Sequence, residues 1–390
     1  MNYDVVMFVT NDIRGDARVQ KEAGTLSQQG LSILVVGLGE VGKATPLEYM
    51  QGFEVRRIFV ATRGLPQKPL FWFFKYFEFC ARAFLIGWRA NARVYHAHDL
   101  PMLPLAWLLA HALGRKVVYD AHELYFDRPT VQLRRVWRFL QNALIGSVDL
   151  VITVNEERAG ILHDEYGAPS LPVVIHNFPV YREFRSRNDI LRKFIQEQGL
   201  DWEVIILHQG KVSKDRCPDV LIQSLVHVPE RAGIVFLGRI LGKLKLECED
   251  IARSLAVSHR VAFHEPVPQE KLWEYTTSAD IGVALYKNTC RNNYYCAPNK
   301  IYDYALAGLP MLASDFPGLR RELGANEAGL LVNPDDPQAV GIALGDLVSD
   351  PALRKRLGEA ARDAARRAWN WEGEAAILWQ SYNLLLQNFD

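Results

Sequence analysis

The chain has 390 residues, with 45 Lys and Arg against 45 Asp and Glu, and 49% of it is hydrophobic. That length exceeds one ordinary core and implies two domains, while zero formal net charge excludes a globally basic nucleic-acid binder. The five cysteines, Cys80, Cys217, Cys248, Cys290 and Cys296, are odd in number and lack C-x-x-C spacing, which argues against a disulfide framework or thiolate metal site and for a reduced, cytoplasmic protein.

In chain order, the sequence opens on a strand pattern and not on a basic, then apolar leader, so no secretion is expected. Val5 to Thr10 is a short apolar run. A polar loop through Arg14 and Gly15 follows, then a helical pattern from Ala17 to Gln29 that stops at Gly30, then a second run, Leu31 to Gly37. Further buried-strand patterns at Val55 to Val60, Val94 to His98, Lys116 to Ala121, Val148 to Val154 and Val173 to His176 alternate with helical stretches. The longest apolar run, Leu103 to Ala110, is far short of a membrane span. A polar interval, Tyr181 to Asp201, separates this half from a second alternating series. Its strands read Val204 to Gln209, Gly233 to Leu237, Val261 to Phe263, Ile281 to Leu285, Met311 to Ser314 and Gly329 to Val332. Two helical stretches, 336–347 and 352–367, and a last amphipathic helix after Trp371 end the chain. The expected fold is α/β, with two doubly wound Rossmann-like domains facing across a cleft. The first spans 1–178 with the closing helix 372–390, the second 179–371.

Three constellations could carry chemistry. Gly37-Leu-Gly39-Glu-Val-Gly42 matches G-x-G-x-x-G, but it follows the second strand, Pro46 interrupts what comes next, and Ala44 after Lys43 spoils a P-loop; it reads as a glycine-rich turn. His96-Ala-His98-Asp99 and Asp120-Ala-His122-Glu123 end two successive strands, where site residues sit in this architecture. They could handle a hydroxyl substrate, with His122 as base or polar partner, hold a metal through His96 and His98, or simply be buried structure. In APNKIYDYALAGLP, Pro298 precedes a helix that Asn299 would N-cap and Gly308 would stop. Asp303 then lies on the Asn299 face near a mouth suited to a phosphate. Gly210, Lys211 and Arg216 after a strand could add cations against a departing diphosphate.

These residues resemble the retaining, nucleotide-sugar-dependent glycosyltransferases of GT-B architecture, glycosyltransferase family 4-like, or glycosyl transferases group 1. The segments DARVQKEA, VYHAHDLP, VVYDAHELY and APNKIYDYALAGLPMLASD carry the resemblance in order and spacing, and Trp371-Glu372 resembles the family's closing helix. The resemblance implies an acceptor-binding first domain and a donor-binding second domain. It implies donor contacts from Gly15, Gly210, Lys211, Arg216, Phe263, Pro298, Asn299, Lys300 and Asp303, with Val261 to Glu265 passing the base. His122, Asp99 and His98 become the catalytic group, and Asp16, Arg18, His98 and Glu123 the acceptor contacts. Asp303 replaces the usual Glu, Tyr295 a second frequent Glu, and Lys211 a common Arg, which removes a bidentate fork. With no D-x-D in the chain, the family's metal-independent habit is expected: no metal and no cofactor, a UDP-sugar favoured over a GDP-sugar as donor substrate, and hexosyl or N-acetylhexosaminyl transfer to a hydroxyl acceptor. Alternatives are an epimerase or hydrolase of the same fold, a His-based metallohydrolase, and a catalytically silent sugar-nucleotide-binding subunit.

Between Arg56 and Arg93 eight basic residues accompany one acid, Glu78, among ten aromatics including Phe73, Phe74, Phe77 and Trp88, and Arg134, Arg135 and Arg138 follow at helical spacing. This pattern predicts peripheral contact of 56–93 with the inner face of the membrane and a lipid-linked or amphiphilic acceptor. No nucleic-acid motif accompanies it.

Overall fold

A computed structural model describes residues 3–40, 42, 45–64, 66, 69–128, 131–183 and 186–387. The chain divides into two compact units, Met1–Asn177 with Glu372–Asp390, and Phe178–Trp371.

The first unit contains β1 (Val5–Phe8), β2 (Ile33–Leu38), β3 (Leu47–Met50), β4 (Phe53–Ile58), β5 (Val94–His98), β6 (Lys116–Ala121), β7 (Leu150–Thr153) and β8 (Val173–Val174). Its helices are α1 (Ala17–Gln28), α2 (Pro69–Ala90), α3 (Leu103–Leu113), α4 (Arg134–Leu144) and α5 (Glu156–Asp164). The strands form one sheet in the order β3-β4-β2-β1-β5-β6-β7-β8, parallel except for β3 against β4. β1 is central and wholly buried, with Val5 paired to Ile33 on one side and Val94 on the other. Such strands are apolar on both faces, which is why they read as continuous runs. β3 escapes that signal. It is an antiparallel edge strand with Leu47 and Tyr49 exposed.

The second unit is a six-stranded parallel sheet in the order β11-β10-β9-β12-β13-β14. Its strands are β9 (Val204–Gln209), β10 (Ala232–Leu237), β11 (Val261–His264), β12 (Ile281–Ala284), β13 (Met311–Ser314) and β14 (Gly329–Val332). Around them lie α6 (Ile190–Glu197), α7 (Pro218–Ser224), α8 (Gly242–Ser254), α9 (Gln269–Thr276), α10 (Arg291–Tyr294), α11 (Asn299–Leu306), α12 (Pro317–Leu319), α13 (Pro337–Ser349) and α14 (Pro351–Arg367). One core, with Tyr302, Tyr304 and Trp369, covers one face of this sheet, and a second, with Leu221, Leu225 and Leu344, covers the other. Both units are thus doubly wound and Rossmann-like. The last helix, α15 (Trp371–Gln387), belongs from Glu372 onward to the first unit, where Glu374 accepts from the His176 backbone N–H at 2.8 Å.

The glycine-rich stretch after β2 serves packing. A Cβ on Gly37 would stand 2.6 Å from the Asn11 carbonyl, and one on Gly39 2.7 Å from the Phe59 ring. Lys43 and Ala44 lie outside the described residues. In the second unit the loops after β9 and β10 touch at their backbones. Gly238 has φ +146°, and a Cβ there would meet the Gly210 carbonyl oxygen at 2.1 Å. Gly238→Ala combines a forbidden backbone region with a backbone collision, so it should lower unfolding stability by about 2 kcal/mol or more. Thermal unfolding followed by circular dichroism measures this, and an unchanged midpoint would show that the two loops move apart at no cost.

Candidate functional site

In the second unit a cavity of about 1050 Å³ opens at the carboxyl ends of β9 to β12. Such an edge is where open α/β sheets collect loop residues around ligands. The loop after β9 contributes Gly210, Lys211 and Lys214, the loop after β10 Gly238 and Arg239, and α8 Lys243 and Glu247; Tyr286 after β12 and Asn299, Lys300 and Asp303 of α11 close the wall. Lys214 is engaged with Glu247 at 2.7 Å. Five cations against two acids make the lining electropositive.

Asp303 is fixed in part by Gln209. Its Oδ2 accepts from Gln209 Nε2 at 2.9 Å, the Gln209 Oε1 accepts from Thr276 at 2.7 Å, and the Gln209 backbone N–H donates to the Tyr304 hydroxyl at 3.0 Å. The start of α11 differs from the sequence expectation. Pro298, with φ −78° and ψ 121°, is the N-cap residue, and no side chain caps the helix; Asn299 is already the first helical residue, exposed at the mouth. Proline's fixed φ and missing N–H suit the boundary, so the first turn closes one residue earlier, by the Ile301 N–H to Pro298 carbonyl bond at 3.2 Å. Asp303 consequently sits in the second turn.

Lys300 reaches into this wall with its Nζ buried and without a hydrogen-bond partner. Burial, and next the Arg216 guanidinium, push its ammonium down to about 7. Arg216 does not line the cavity: its guanidinium lies 3.8 Å from the centroid of the Tyr286 ring, with Lys300 5.8 Å from the same ring. Phe263 does not line it either. Its side chain stacks on Phe236 at 5.2 Å, and the wall expected from Val261 to Glu265 is formed by Pro266, Val267 and Leu272. Arg239, Lys243 and Tyr286 had no motif to mark them, and only their places just after strand ends could have pointed to them.

In the first unit the strand ends of β5 and β6 do bring their polar residues together. His122 Nε2 lies 2.7 Å from Asp120 Oδ2 and its Nδ1 3.7 Å from Asp99, while the His122 backbone N–H donates to Asp99 at 3.1 Å. Asp120 is within hydrogen-bond distance of Nε2, and the Asp99 carboxylate stands near Nδ1 beyond that distance. Burial opposes its charge, but Asp120 and then Asp99 outweigh burial and lift the imidazolium to about 10. In that charged form His122 would act as a hydrogen-bond donor, whereas the expected role as a base needs the neutral ring. His98 and Arg18, expected to touch substrate, are buried. His98 Nδ1 lies 3.3 Å from Asp120 and 3.1 Å from His122, beneath the exposed edge of the latter. Arg18 grips both oxygens of Asp120 at 2.7 Å and donates to the Ile175 carbonyl at 2.7 Å, leaving it no reach to a ligand. Glu123 is held 2.6 Å from Arg128.

Asp16 caps α1, accepting from the Val19 N–H at 3.2 Å and from Asn11 at 2.7 Å. Burial works against its charge, yet His122 and the Asn11 amide keep its carboxyl below the ordinary range. Gly15 is exposed just before it, with open space where a Cβ would stand. Backbone strain gathers here. Ile13 has φ +74°, and Asp99 has φ 64° with ψ 162°, a region that is nearly glycine's alone. Asp99 also lines a second cavity of about 810 Å³ with Asp12, Arg63, Lys75, Trp72 and Tyr125.

Comparison with known proteins places these observations. The family described as "Glycosyl transferases group 1" matches residues 189–364, and "Glycosyl transferase 4-like domain" matches 5–177. The D-inositol 3-phosphate glycosyltransferase of Xylanimonas cellulosilytica is 33% identical over 310 residues, 74% of this chain and 71% of the relative. That of Rhodococcus erythropolis is 26% identical over 76% of this chain and 68% of the relative. Among solved structures, sucrose-phosphate synthase from Thermosynechococcus elongatus superposes with a TM-score of 0.82 at 17% identity, covering 98% of this chain and 99% of the other. Anabaena HepE in complex with UDP does so at 0.75 and 16%, covering 99% and 100%.

Lys300 gives the cavity a testable pH response. Below about pH 7 its ammonium is already charged, and an anion binds without taking up a proton. Above that, binding must recruit one, so affinity for a nucleoside diphosphate such as UDP should fall by up to about tenfold per pH unit until the bound-state pKa is reached. Calorimetric titration from about pH 6.5 to about 8.5 should show this loss in the parent and a weaker, flat profile in Lys300→Met. A flat profile in the parent would mean that the ammonium does not meet the anion.

Proposed function

We propose, on the premise that this chain belongs to the glycosyltransferase family described as glycosyl transferases group 1, that it moves a hexosyl or N-acetylhexosaminyl group to a hydroxyl acceptor with retention and without a metal at the leaving group. Membership makes the chain a glycosyltransferase using a nucleoside-diphosphate sugar. The finer reading rests on one observation above all, the electropositive cavity at the carboxyl edge of the second sheet with Asp303 fixed in its wall.

In this reading Asp303 accepts both ribose hydroxyls, and the mouth of α11 with Lys211 and Lys300 takes the diphosphate. As the bond from the anomeric carbon to the phosphate oxygen breaks, its electron pair leaves with the diphosphate. The growing charge is met by ammonium groups already in place, which lowers the barrier because they need not reorganise. The acceptor oxygen attacks the same face of the sugar and its proton passes to the departing phosphate oxygen. Arg216 acts from behind Tyr286, holding that ring and adding positive potential. In the first unit, His122 donates to a sugar hydroxyl, and the cavity beside Asp99 takes the acceptor.

A thermal-shift screen of UDP- and GDP-sugars tests the donor half, since a donor at a hundred times its dissociation constant stabilises by about 2.7 kcal/mol. Asp303→Asn should weaken the best nucleotide by about 10- to 100-fold, the worth of a charged hydrogen bond, and abolish its preference over the 2′-deoxy form. Full affinity and full discrimination in that variant would remove Asp303 from the ribose.

Helices α2 and α4 support a reading of the acceptor's class. Phe79 and Ala83 of α2 face the core, whereas Phe73, Phe74, Phe77 and Trp88 are exposed. On α4, Trp137 is buried against Trp72 and Tyr76, leaving Val136 and Phe139 outward, the latter 71% exposed. Exposed aromatics, with Phe73 and Phe77 in ring contact at 4.3 Å, together with the exposed Arg134, Arg135 and Arg138 are what an anionic lipid surface would hold. No helix among the described residues is long and apolar enough to cross a membrane. The reading is therefore peripheral binding and an amphiphilic, lipid-linked acceptor. Sedimentation with anionic vesicles should bring the protein down at low salt, less so at high salt, and less in Phe73→Ser/Phe77→Ser. Failure to sediment at low salt would favour a soluble polyol phosphate, the acceptor class named for the curated relatives, in the cavity lined by Arg63 and Lys75.

A further inference from the structure

Behind His122 the first unit buries four side chains whose ligating atoms all lie within 4.8 Å of one another: Glu22 of α1, His96 and His98 of β5, and Asp120 of β6. Every one is essentially inaccessible to solvent. The Nε2 atoms of His96 and His98 and both oxygens of Glu22 have no hydrogen-bond partner. The opposite edge of each imidazole is anchored. His96 Nδ1 lies 2.6 Å from the Tyr382 hydroxyl of α15, and His98 Nδ1 lies 3.3 Å from Asp120. With Nδ1–H donating in each ring, both Nε2 lone pairs turn toward Glu22; His96 Nε2 is 3.9 Å from Glu22 Oε2. Ligands about 2.1 Å from a tetrahedral ion stand about 3.4 Å apart, so small rotations would close the set.

The charges point the same way. Arg18 is committed to Asp120 by two hydrogen bonds, and Asp99 faces His122. Glu22 has the side of the Arg18 guanidinium, 3.0 Å away and not aligned for a hydrogen bond, and the Asp120 carboxylate within hydrogen-bond reach. A proton on Glu22 could serve Asp120 or one imidazole lone pair and would leave at least one lone pair unmet. A water could donate to both rings but would bring no charge to the carboxylate. A divalent transition-metal ion answers all three donors at once.

We propose that Glu22, His96 and His98 bind a buried zinc-class ion, with Asp120 as the carboxylate that orients His98 and stands ready as a fourth ligand. Two imidazole nitrogens beside carboxylate oxygen suit zinc, cobalt or iron(II) better than magnesium or calcium. The carboxylate–histidine pair supplies the second shell such sites use. The ion would tie α1 to β5 and, through Asp120, to the strand end that presents His122. Its role is to position, and its ligands all belong to the first unit whereas the proposed donor cavity is built from the second, so its presence or absence leaves the proposed metal-free departure of the diphosphate as it stands.

The test uses the full chain without an affinity tag, incubated with zinc and passed through gel filtration. Elemental analysis should find about one equivalent retained, and cobalt(II) in its place should give the visible absorption of a four-coordinate nitrogen and oxygen site. Glu22→Gln and His98→Asn, checked for native circular dichroism, should each lose the ion and the cobalt band. Below about 0.1 equivalent of zinc together with no cobalt band in the parent overturns the proposal, as does full retention in both folded variants. Nucleotide affinity, measured alongside, depends on the second unit and should not change with the metal, which separates this result from any failure of the donor reading.

Discussion

The first unit turns on one interaction, the two-pronged bond from Arg18 to Asp120. It joins a helix near the start of the chain to a strand end 102 residues later, and the same guanidinium reaches the Ile175 carbonyl. Asp120 in turn receives His98 and His122. Truncating Arg18 would strand Asp120 as a buried, unpaired charge, a change that costs about 3 to 5 kcal/mol in comparable pairs. The pair is not there for stability alone, because an apolar substitute could pack as well. What it supplies is direction. With both of its oxygens held, Asp120 cannot turn, and the His122 ring hanging on it keeps one orientation.

The second unit solves the same problem of aim with neutral groups. Gln209 is the last residue of β9, and its amide stands between Thr276 and Asp303, donating to the carboxylate and accepting from the hydroxyl. Tyr304, one residue beyond Asp303, bonds the backbone of β9. The helix is thus pinned to the sheet while it offers Asp303 and Lys300 to the cavity. The two carboxylates are thus aimed by different means, Asp303 by the Gln209 amide and Asp120 by the Arg18 guanidinium.

Much of the fold was legible because parallel strands buried on both faces have no choice but to be apolar runs, and all six strands of the second sheet read that way. β3 did not, since half its residues face solvent and its pairing is antiparallel. The site was legible where chemistry coincides with strand ends, as at His98, Asp99, Asp120, His122, Gly210 and Lys211. It was opaque where burial decides the role. Arg18 was expected at the acceptor and Glu22 stood only within the DARVQKEA segment, yet both are interior. Tyr382 meets His96 across 286 residues, a contact no local pattern can announce. Phe263 read as a base platform, but strand alternation turns it toward Phe236. The boundary of α11 moved by one residue because proline serves as well before a first turn as asparagine does.

A chain with no net charge therefore keeps two unlike fields. The cavity of the second unit holds its cations close together, and Lys300 bears the cost as an ammonium pushed down to about 7 by burial and by Arg216. Such a group is poorly satisfied without an anion, so a diphosphate bound as proposed would relieve that repulsion. The polar cluster of the first unit is the reverse case. Asp99 sits in a strained backbone conformation with its carboxyl raised to about 6 by burial, although His122 works the other way. Strain and an unsettled carboxylate at a cavity wall persist only where the surrounding structure enforces them. The enforcing contacts are the Asp99 N–H bonded to the Asp120 carbonyl and the His122 N–H bonded back to Asp99. The two strand ends hold each other in a shape neither would adopt alone, which is what a preorganised polar surface requires.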